Sequence, residues 1–135
     1  MDRVTSQRRS WIMSRVKSKN TRPELTVRRL VYGLGYRYRL HDTSLPGKPD
    51  LVFRSRRKVI FIHGCFWHGH ADCPKARIPK TRQDFWKEKM GNNARRDEEN
   101  ERALDRLGWK HLIIWQCQIK NVETVKGQVV AFLES

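Results

Sequence analysis

The sequence predicts a single α/β domain in which helices flank a mixed β-sheet. Two short stretches, 59–62 and 112–114, consist of consecutive apolar residues, as strands buried on both faces do. A capping box at 21–24 and a helical repeat of apolar residues over 122–133 predict helices near both ends of the chain. Because helices and strands alternate, and because 135 residues can bury one core, a layered α/β domain follows.

Turn and cap signals set the predicted boundaries of the elements. The segment 64–80 is rich in Gly, His, Cys and Pro and has no periodicity, so it is an ordered loop that needs another source of stability. The predicted elements are, in order, a helix from Thr21 to Gly33 or Gly35, a half-exposed strand over 36–40, a hairpin with strands at 50–53 and 58–63, a helix over 81–90, a polar and charged helix over about 93–107, a buried strand over 109–115 and an amphipathic helix over 122–133.

The charge balance predicts a polyanionic partner. Lys and Arg number 29 against 14 Asp and Glu, which gives a net charge of +15. Such a balance favours nucleic acid first and an anionic membrane second, whereas 38% apolar residues with five Trp and five Phe exclude a disordered basic tail. Residues 1–20 form a basic arm, and 21–135 form the folded domain. The arm is either a solvated terminus or, as Trp11 and Met13 favour, a segment that packs against a partner.

The sequence predicts a cytoplasmic protein. Its longest apolar run is far shorter than a membrane span, and its first residues are polar and basic rather than the apolar core of a signal peptide. Three cysteines cannot all pair with one another, so a secreted disulfide scaffold is excluded and a reducing compartment is expected.

A cysteine and histidine cluster predicts a structural zinc site. Cys65, His70 and Cys73 lie close together in the loop, and Cys117 follows a strand that returns beside them. Three thiolates and one imidazole fill a tetrahedral zinc site and leave no position open for water. The alternative is three buried, inert cysteines. Other side chains of the same loop region compete as ligands: His63, His68 and Asp72.

A carboxylate and two histidines lie at the strand ends of the predicted hairpin. Asp50 begins the first strand, His63 ends the second, and His68 follows in the loop. A carboxylate beside a carbonyl or an acid of the neighbouring strand binds a hard divalent cation, and a neutral imidazole nearby accepts a proton from attacking water. This pattern is typical of nucleases, although Pro49-Asp50 alone also fits an ordinary strand start. The two remaining histidines are interpreted as surface residues: His41 and His111.

Two segments of the chain form a more specific combination. The first is 47–53, Gly-Lys-Pro-Asp-Leu-Val-Phe, and the second is 59–70, Val-Ile-Phe-Ile-His-Gly-Cys-Phe-Trp-His-Gly-His. The combination resembles the very-short-patch repair (Vsr) DNA mismatch endonucleases, and the His-Gly-Cys-Phe-Trp-His block is its most specific part. The resemblance extends over nearly the whole chain, with further matches at 21–24, 81–86, Lys89, Asn93, 107–109 and 115–117.

The resemblance implies a fold and a reaction. It implies a restriction-endonuclease-like, three-layer fold with a mixed central sheet and a structural zinc site. The implied reaction is a nick on the 5′ side of the mispaired thymine in a T·G mismatch that arises from 5-methylcytosine deamination, with Mg²⁺ as the catalytic metal and Zn²⁺ as the structural one. Its implied setting is the bacterial cytoplasm, where a monomer acts on double-stranded DNA of the nucleoid, with mismatch-repair proteins as candidate partners.

The resemblance also implies a role for individual residues. Asp50 binds Mg²⁺, His68 is the general base, His63 supports the phosphate and the transition state, and Glu24 assists through water. Ile62 departs from the family, since a well-characterised member carries Thr there and related nucleases carry an acid; its backbone carbonyl is therefore the expected metal ligand. The implied zinc ligands are the set that the spacing suggests: Cys65, His70, Cys73 and Cys117.

Aromatic residues of the loop and the following helix match the family's DNA contacts. Phe66, Trp67 and Trp86 resemble an intercalating wedge, which offsets the cost of unstacking by gaining contact with bent DNA. Met13 in the arm resembles the residue that enters from the opposite groove. The remaining implied DNA contacts are Lys89 and Asn93.

Two alternatives to this function stay open. The first is a catalytically silent, zinc-stabilised DNA-binding module, in which the charge and the aromatics serve binding alone. Asp50, His63 and His68 discriminate against it, because a binding module has no need for this trio. The second is a related nickase with another target, such as a defence nuclease.

Overall fold

The computed structural model describes residues 21–71 and 73–135. The predicted arm 1–20, with Met13, and the candidate ligand Asp72 therefore lie outside the described residues. Short 3₁₀ turns occupy Arg54–Arg56, Pro74–Ala76 and Gln116–Lys120. The helices and strands are α1 (Arg22–Gly33), β1 (Arg39–Leu40), β2 (Leu51–Phe53), β3 (Lys58–His63), α2 (Gln83–Arg106), β4 (Lys110–Trp115) and α3 (Val122–Leu133).

The four described strands form one mixed sheet in the order β1-β2-β3-β4. The predicted hairpin is confirmed, because β2 and β3 pair antiparallel with Val52 opposite Val59. The turn between them closes at Arg57, whose φ of 53° is in the left-handed region. β4 then runs parallel to β3, with Ile60 opposite Leu112. The parallel pairing requires a long crossover, and the loop together with α2 provides it.

The helices cover both faces of this sheet. Alternate residues of the strands point to opposite faces, so Ile60 packs with one apolar cluster and Phe61 with the other. The first cluster joins the sheet to α1 and α3, and the second joins it to Leu104 of α2. β3 is buried along nearly its whole length, as predicted for a central strand. The predicted α/β domain with helices around a mixed sheet is thus confirmed.

The first helix follows its sequence signals closely. The Thr21 hydroxyl accepts a hydrogen bond from the Glu24 N–H over 3.4 Å, and proline occupies the first turn. The helix ends at Gly33, and Gly35 follows with a φ of 98°, a conformation that favours glycine. This placement leaves Glu24, a residue of the first turn, only 2% exposed beneath the sheet's end.

The predicted pair of helices over 81–90 and 93–107 is wrong, because α2 is one continuous helix of 24 residues. Gly91 lies in its interior, where a glycine costs only about 1 kcal/mol relative to alanine and does not end a helix. Burial of Met90 and Leu104 on one side stabilises the helix across this weak point. None of the helices in the described part of the chain combines the length and apolar character needed to cross a bilayer.

Two strand predictions also need correction. Only Arg39–Leu40 of the segment 36–40 pairs as a strand, because Tyr38 instead packs with the core cluster and donates its hydroxyl to the Arg28 carbonyl over 3.0 Å. β4 is less buried than predicted, with Ile114 as its single fully buried residue. The reason is its position at the edge of the described sheet, where no further described strand covers it.

Candidate active site and metal centres

The candidate active site lies where β2 begins and β3 ends. Antiparallel pairing brings Asp50 next to Ile62, whose backbone N–H donates to Asp50 Oδ2 over 2.7 Å. A cavity of about 460 Å³ opens there, and Asp50, Ile62, His63 and His68 all line it. The structure therefore brings together the residues that the sequence predicts for one site: Asp50, Ile62, His63 and His68.

A second carboxylate stands behind Asp50. Glu24 is buried, and its Oε2 accepts a hydrogen bond from Arg28 Nη2 over 3.0 Å. Its Oε1 contacts Nε2 of His41, and the same nitrogen lies 3.9 Å from Asp50 Oδ1. The interpretation of His41 as a surface residue is therefore wrong, because its side chain is 21% exposed and lies between two acids. The same interpretation is wrong for His111, whose side chain is 24% exposed and pairs with Glu101.

Burial dominates the electrostatics of this pair. The pKa of Asp50 is raised to about 8; burial is the largest cause and a hydrogen bond with Glu24 is the next, whereas the Ile62 N–H acts in the opposite direction. Two neighbouring carboxylates resist joint ionisation, and the Arg28 guanidinium beside Glu24 offsets this only in part. Oxygen donors from Asp50 and Glu24, within 4.8 Å of one another, suit a hard divalent cation, so the residues present fit a magnesium site.

The two histidines form a stacked pair. The rings of His63 and His68 are nearly parallel at 5°, with centroids 3.8 Å apart. His68 Nδ1 lies 2.6 Å from Oδ2 of Asp97 on α2. A carboxylate accepts hydrogen bonds, so the neutral ring carries its proton on Nδ1 and has a free lone pair on Nε2.

His63 is the more buried member of the pair. The pKa of His63 is lowered to about 4, mainly by burial and next by the neighbouring His68, so this ring is neutral near pH 7. Its Nδ1 is buried and has no hydrogen-bond partner among the described residues. One ring is thus held by a carboxylate and the other is a neutral neighbour, an arrangement that can accept a proton at His68.

The predicted zinc ligands meet in one cluster. The ligand atoms of Cys65, His70, Cys73 and Cys117 all lie within 4.8 Å of one another, with His70 Nδ1 3.5 Å from Cys117 Sγ. The three cysteines form no disulfide with one another, and Cys65 is buried. Burial raises the pKa of the Cys65 thiol to about 11, and the charge of a bound metal ion reverses this effect. Three sulfur atoms and one imidazole at these separations fit tetrahedral zinc.

The histidines that compete for this metal belong to the active-site cavity. His63 and His68 group with Asp97 instead of with the cysteines. Trp115, at the end of β4, lies between the two clusters. Its ring stacks on His70 with centroids 4.0 Å apart, and its edge faces His63 at 5.2 Å.

The predicted wedge residues form an aromatic group on the surface. Ring centroids of Phe66, Trp67 and Trp86 are 5.2 to 6.1 Å apart, and each residue is partly exposed. Phe85 extends the group, since its ring lies 5.1 Å from Trp86 and is 43% exposed. The backbone of Trp67 is held by α2, because Asn93 Nδ2 donates to the Trp67 carbonyl over 2.8 Å.

The other predicted contact on α2, Lys89, is exposed on the helix surface. Asn93 and Asp97 follow one turn apart on this helix, so they face the loop together. Asn93 holds the carbonyl of Trp67, and Asp97 holds the ring of His68. The helix therefore positions the loop aromatics and the His68 imidazole at the same time.

Comparison with known proteins identifies the family. The family model described as DNA mismatch endonuclease Vsr matches residues 1–75. The DNA mismatch endonuclease Vsr of Escherichia coli is 40% identical over 122 residues, which cover 90% of this chain and 78% of that protein. The chain belongs to the Vsr family.

Other proteins with similar sequences are named type II nicking enzymes. The type II nicking enzyme V.XorIIP of Xanthomonas oryzae is 46% identical over 98% of this chain and 97% of its own length. The type II nicking enzyme V.NmeAIP of Neisseria meningitidis is 45% identical over 89% of this chain and 85% of its own length. The family assignment makes the chain a DNA endonuclease of the Vsr type.

Sequence reasoning missed three residues of this Vsr-type site. Asp97 is one acid among several on a charged helix, and its spacing of four from Asn93 is the signal that places it on the loop side. Trp115 ends the last predicted strand as His63 ends the second strand of the hairpin, and this common position was its signal. In the structure the two residues lie opposite one another. His41 had none, since its position depends on a left-handed backbone at φ 48°.

Proposed function

We propose that this protein is a Mg²⁺-dependent endonuclease that nicks DNA on the 5′ side of the mispaired thymine in T·G mismatches arising from 5-methylcytosine deamination. The observation that carries the proposal is the meeting of the Asp50 carboxylate, a carboxylate-held imidazole and a partly exposed aromatic group around one loop. A binding module needs the aromatic group and the net charge of +15, but it does not need the other two.

Asp50 and the backbone carbonyl of Ile62 are the proposed Mg²⁺ ligands. When bound, the ion polarises the scissile phosphate and stabilises the leaving oxygen. Ile62 lies in the central strand, paired with β4 through Ile114, so its backbone is held rigidly. A rigid carbonyl takes the place that an acidic side chain occupies in related nucleases, and the apolar side chain of Ile62 is therefore compatible with activity.

His68 is the proposed general base. It accepts the proton of the attacking water at Nε2, while Asp97 holds the ring through Nδ1. His63 stays neutral beside it and supports the phosphate without adding a charge of its own. Glu24, the second carboxylate of the site, assists from α1 by holding a water molecule.

Cys65, His70, Cys73 and Cys117 are the proposed ligands of a structural Zn²⁺ ion. They fill all four tetrahedral positions and leave none for a reacting water. Their task is to fold the loop between β3 and α2, which carries His68 and the aromatic group but few buried apolar side chains.

Phe66, Trp67 and Trp86 are proposed to insert at the mismatched step from one groove, with Met13 of the arm entering from the other. Lys89 and Asn93 contact DNA along the same helix. A mismatched step opens more easily than a paired one, so insertion contributes to selectivity.

The larger setting of the protein follows from the same family. We assign it the restriction-endonuclease-like fold, with residues 1–20 as a DNA-contacting arm and 21–135 as the endonuclease domain. It acts as a monomer on double-stranded DNA in the bacterial cytoplasm, where mismatch-repair proteins are its candidate partners.

Nicking of defined duplexes tests the proposal. Duplexes with T·G or T·A at one position are labelled separately on each strand and incubated with the protein and Mg²⁺. We expect a single nick 5′ of the thymine in the T·G duplex, no nick in the opposite strand, and no product without Mg²⁺. Equal cleavage of both duplexes, or none, contradicts the proposed reaction.

A related nickase with another target is the second candidate, because two relatives are named as nicking enzymes without mention of a mismatch. Duplexes with the other mismatches, and a fully paired duplex, belong in the same assay. A preference for any of them over T·G favours this second function.

A further inference from the structure

His41 touches both acids of the candidate active site, although nothing in the proposed mechanism uses it. Its backbone N–H donates to the carbonyl of Asp50 over 3.3 Å. Its ring nitrogen Nε2 contacts Oε1 of Glu24 and lies 3.9 Å from Oδ1 of Asp50. One residue therefore joins α1, the end of β1 and the start of β2 at the site.

The contact with Glu24 connects two elements that are separate in the chain. Oε2 of Glu24 accepts from Arg28, a residue of the same helix, and a hydrogen bond with Asp50 links Glu24 to the sheet directly. Oε1 meets His41, which is bonded through its backbone to Asp50. The imidazole is therefore a second tie between Glu24 and the strand that carries Asp50.

The backbone of His41 has an unusual conformation for this task. Its φ of 48° is in the left-handed region, which is uncommon for residues other than Gly, although His, like Asn and Asp, is enriched there. This conformation turns the ring back from the end of β1 towards the acids. Such local strain persists where the surrounding contacts hold it in place, and it concentrates at functional sites.

We propose that His41 is a positioning residue that holds the carboxylate of Glu24 beside that of Asp50, so that the pair presents oxygen atoms to a divalent cation. The inference rests on the proposed function, in which Asp50 holds this cation. An N–H donor next to Glu24 offsets the repulsion between the two acids, and at 3.9 Å it leaves Asp50 Oδ1 open to the ion.

Binding of Mn²⁺ to the full-length protein, followed by electron paramagnetic resonance without DNA, tests this role. Loading the cysteine cluster with zinc beforehand keeps Mn²⁺ out of that cluster, and loss of the signal in Asp50→Ala assigns it to the carboxylates and not to the group of His63, His68 and Asp97. His41→Phe keeps a flat ring but loses the donor, so we expect Mn²⁺ affinity to fall by about tenfold or more. His41→Gln places an amide N–H at a similar reach, and its affinity should stay within about threefold of the parent.

His111→Phe is the matched control. Its side chain is 24% exposed, and its Nε2 also faces a carboxylate, Glu101, at 3.2 Å. His111 contacts neither acid of the proposed metal pair, so we expect unchanged Mn²⁺ affinity. An equal loss in the His41 and His111 variants overturns the proposal, as does a His41→Phe protein that binds Mn²⁺ as tightly as the parent or more tightly.

His41→Asn separates the ring contact from the backbone conformation. Asn adopts the left-handed region readily, but its amide is too short to reach Glu24. If backbone shape were the role of His41, Asn would serve as well as Gln or better; we expect Gln to retain affinity and Asn to lose it. This comparison also decides the matter if His41→Phe does not fold.

Asp50→Ala distinguishes failure of this inference from failure of the proposed function. Loss of Mn²⁺ binding in Asp50→Ala, together with full binding in His41→Phe, overturns the role of His41 alone. Retained Mn²⁺ binding in Asp50→Ala overturns the proposed metal site itself.

Discussion

Asp50 is needed for the proposed reaction but lowers the stability of the folded protein when it is ionised. Its carboxylate lies next to a second acid, largely out of water, and its pKa is raised to about 8 from the ordinary value of about 3.9. Without a bound cation, the folded protein therefore takes up a proton that the unfolded chain releases between those two pH values. Stability must fall as pH rises through this window, since the folded state binds more protons there.

Asp50→Asn should therefore stabilise the protein in buffer without added Mg²⁺. Asn resembles the protonated acid and carries no penalty for ionisation, so the unfolding temperature at pH 7 to 8 should exceed that of the parent. The difference in unfolding temperature should shrink as pH falls towards 4, where Asp50 of the parent becomes protonated in the unfolded chain as well as in the folded protein. Thermal unfolding across this pH range checks it, and a less stable Asp50→Asn protein at pH 8 would contradict the account.

His68→Ala should lose most of the nicking activity. Removal of a general base costs a factor of about 10² to 10⁴, and the residual rate should rise with pH because hydroxide replaces the missing base. Asp97→Asn should also slow nicking, since an amide no longer selects the Nδ1 proton of the imidazole. The matched control is Glu98→Gln, an exposed acid paired with Arg102, which should nick at the parent rate. Single-turnover rates on T·G duplex decide between these outcomes.

The sequence predicts the residues of this site better than the contacts between them. Residue type and spacing are sufficient for Asp50, His68 and the loop members of the cysteine cluster, and Cys117 follows from its place after a strand that returns beside them. His41 is close to Asp50 in the chain, but its contact depends on a left-handed backbone, and that of Asp97 depends on the packing of α2. Neither property is visible in a local pattern.

At the scale of elements, α2 connects the loop to the sheet as one rigid rod. Its unbroken course past Gly91 gives Asn93 and Asp97 a common face towards the loop. A break at this glycine would let the two halves of the helix move separately. The geometry of His68 would then depend on a hinge.

Gly91→Ala should stabilise the protein by roughly 0.5 to 1 kcal/mol. A Cβ atom at Gly91 meets nothing within 4 Å, and its backbone is helical, so alanine removes freedom from the unfolded chain without a clash. Gly108→Ala is the opposite control, because its φ of 82° is strained for alanine. Urea unfolding of both variants checks the prediction. Destabilisation of Gly91→Ala would mean that the helix bends there.

The elements themselves were predictable where their signals are local. The capping box of α1 and the hairpin of β2 and β3 follow from residues adjacent in the chain. The continuity of α2 was not predictable, because burial of Met90 and Leu104 against the rest of the fold outweighs the low helix propensity of Gly91. The exposure of β4 was not predictable either, since an edge strand and a central strand have the same apolar pattern.

At the scale of the whole molecule, two clusters of ligand-type side chains share one loop. The cysteine cluster and the active-site cavity are joined by Trp115, which contacts His70 on one side and His63 on the other. The loop that carries them has little apolar core of its own. Its fold, and with it the placement of His68, is therefore expected to depend on the metal.

Removal of zinc should unfold the loop or the whole domain. Zinc binding at small sites contributes about 10 to 16 kcal/mol, which equals or exceeds the stability of a typical domain. We expect about one zinc per chain, a large fall in unfolding temperature on chelation, recovery when zinc is added back, and failure of Cys73→Ala and Cys117→Ala to fold. An unchanged unfolding temperature in the chelated protein would exclude a structural metal.

The central claim is that the carboxylate of Asp50 in the active-site cavity turns a basic DNA-binding protein into a nickase. Single-turnover nicking of a T·G duplex by Asp50→Ala in Mg²⁺, with DNA affinity measured separately in Ca²⁺, tests it most directly. The account predicts affinity close to that of the parent, or slightly higher because a negative charge beside the phosphate is lost, and no nick above background. Nicking by Asp50→Ala at the parent rate would contradict it and place the active site elsewhere.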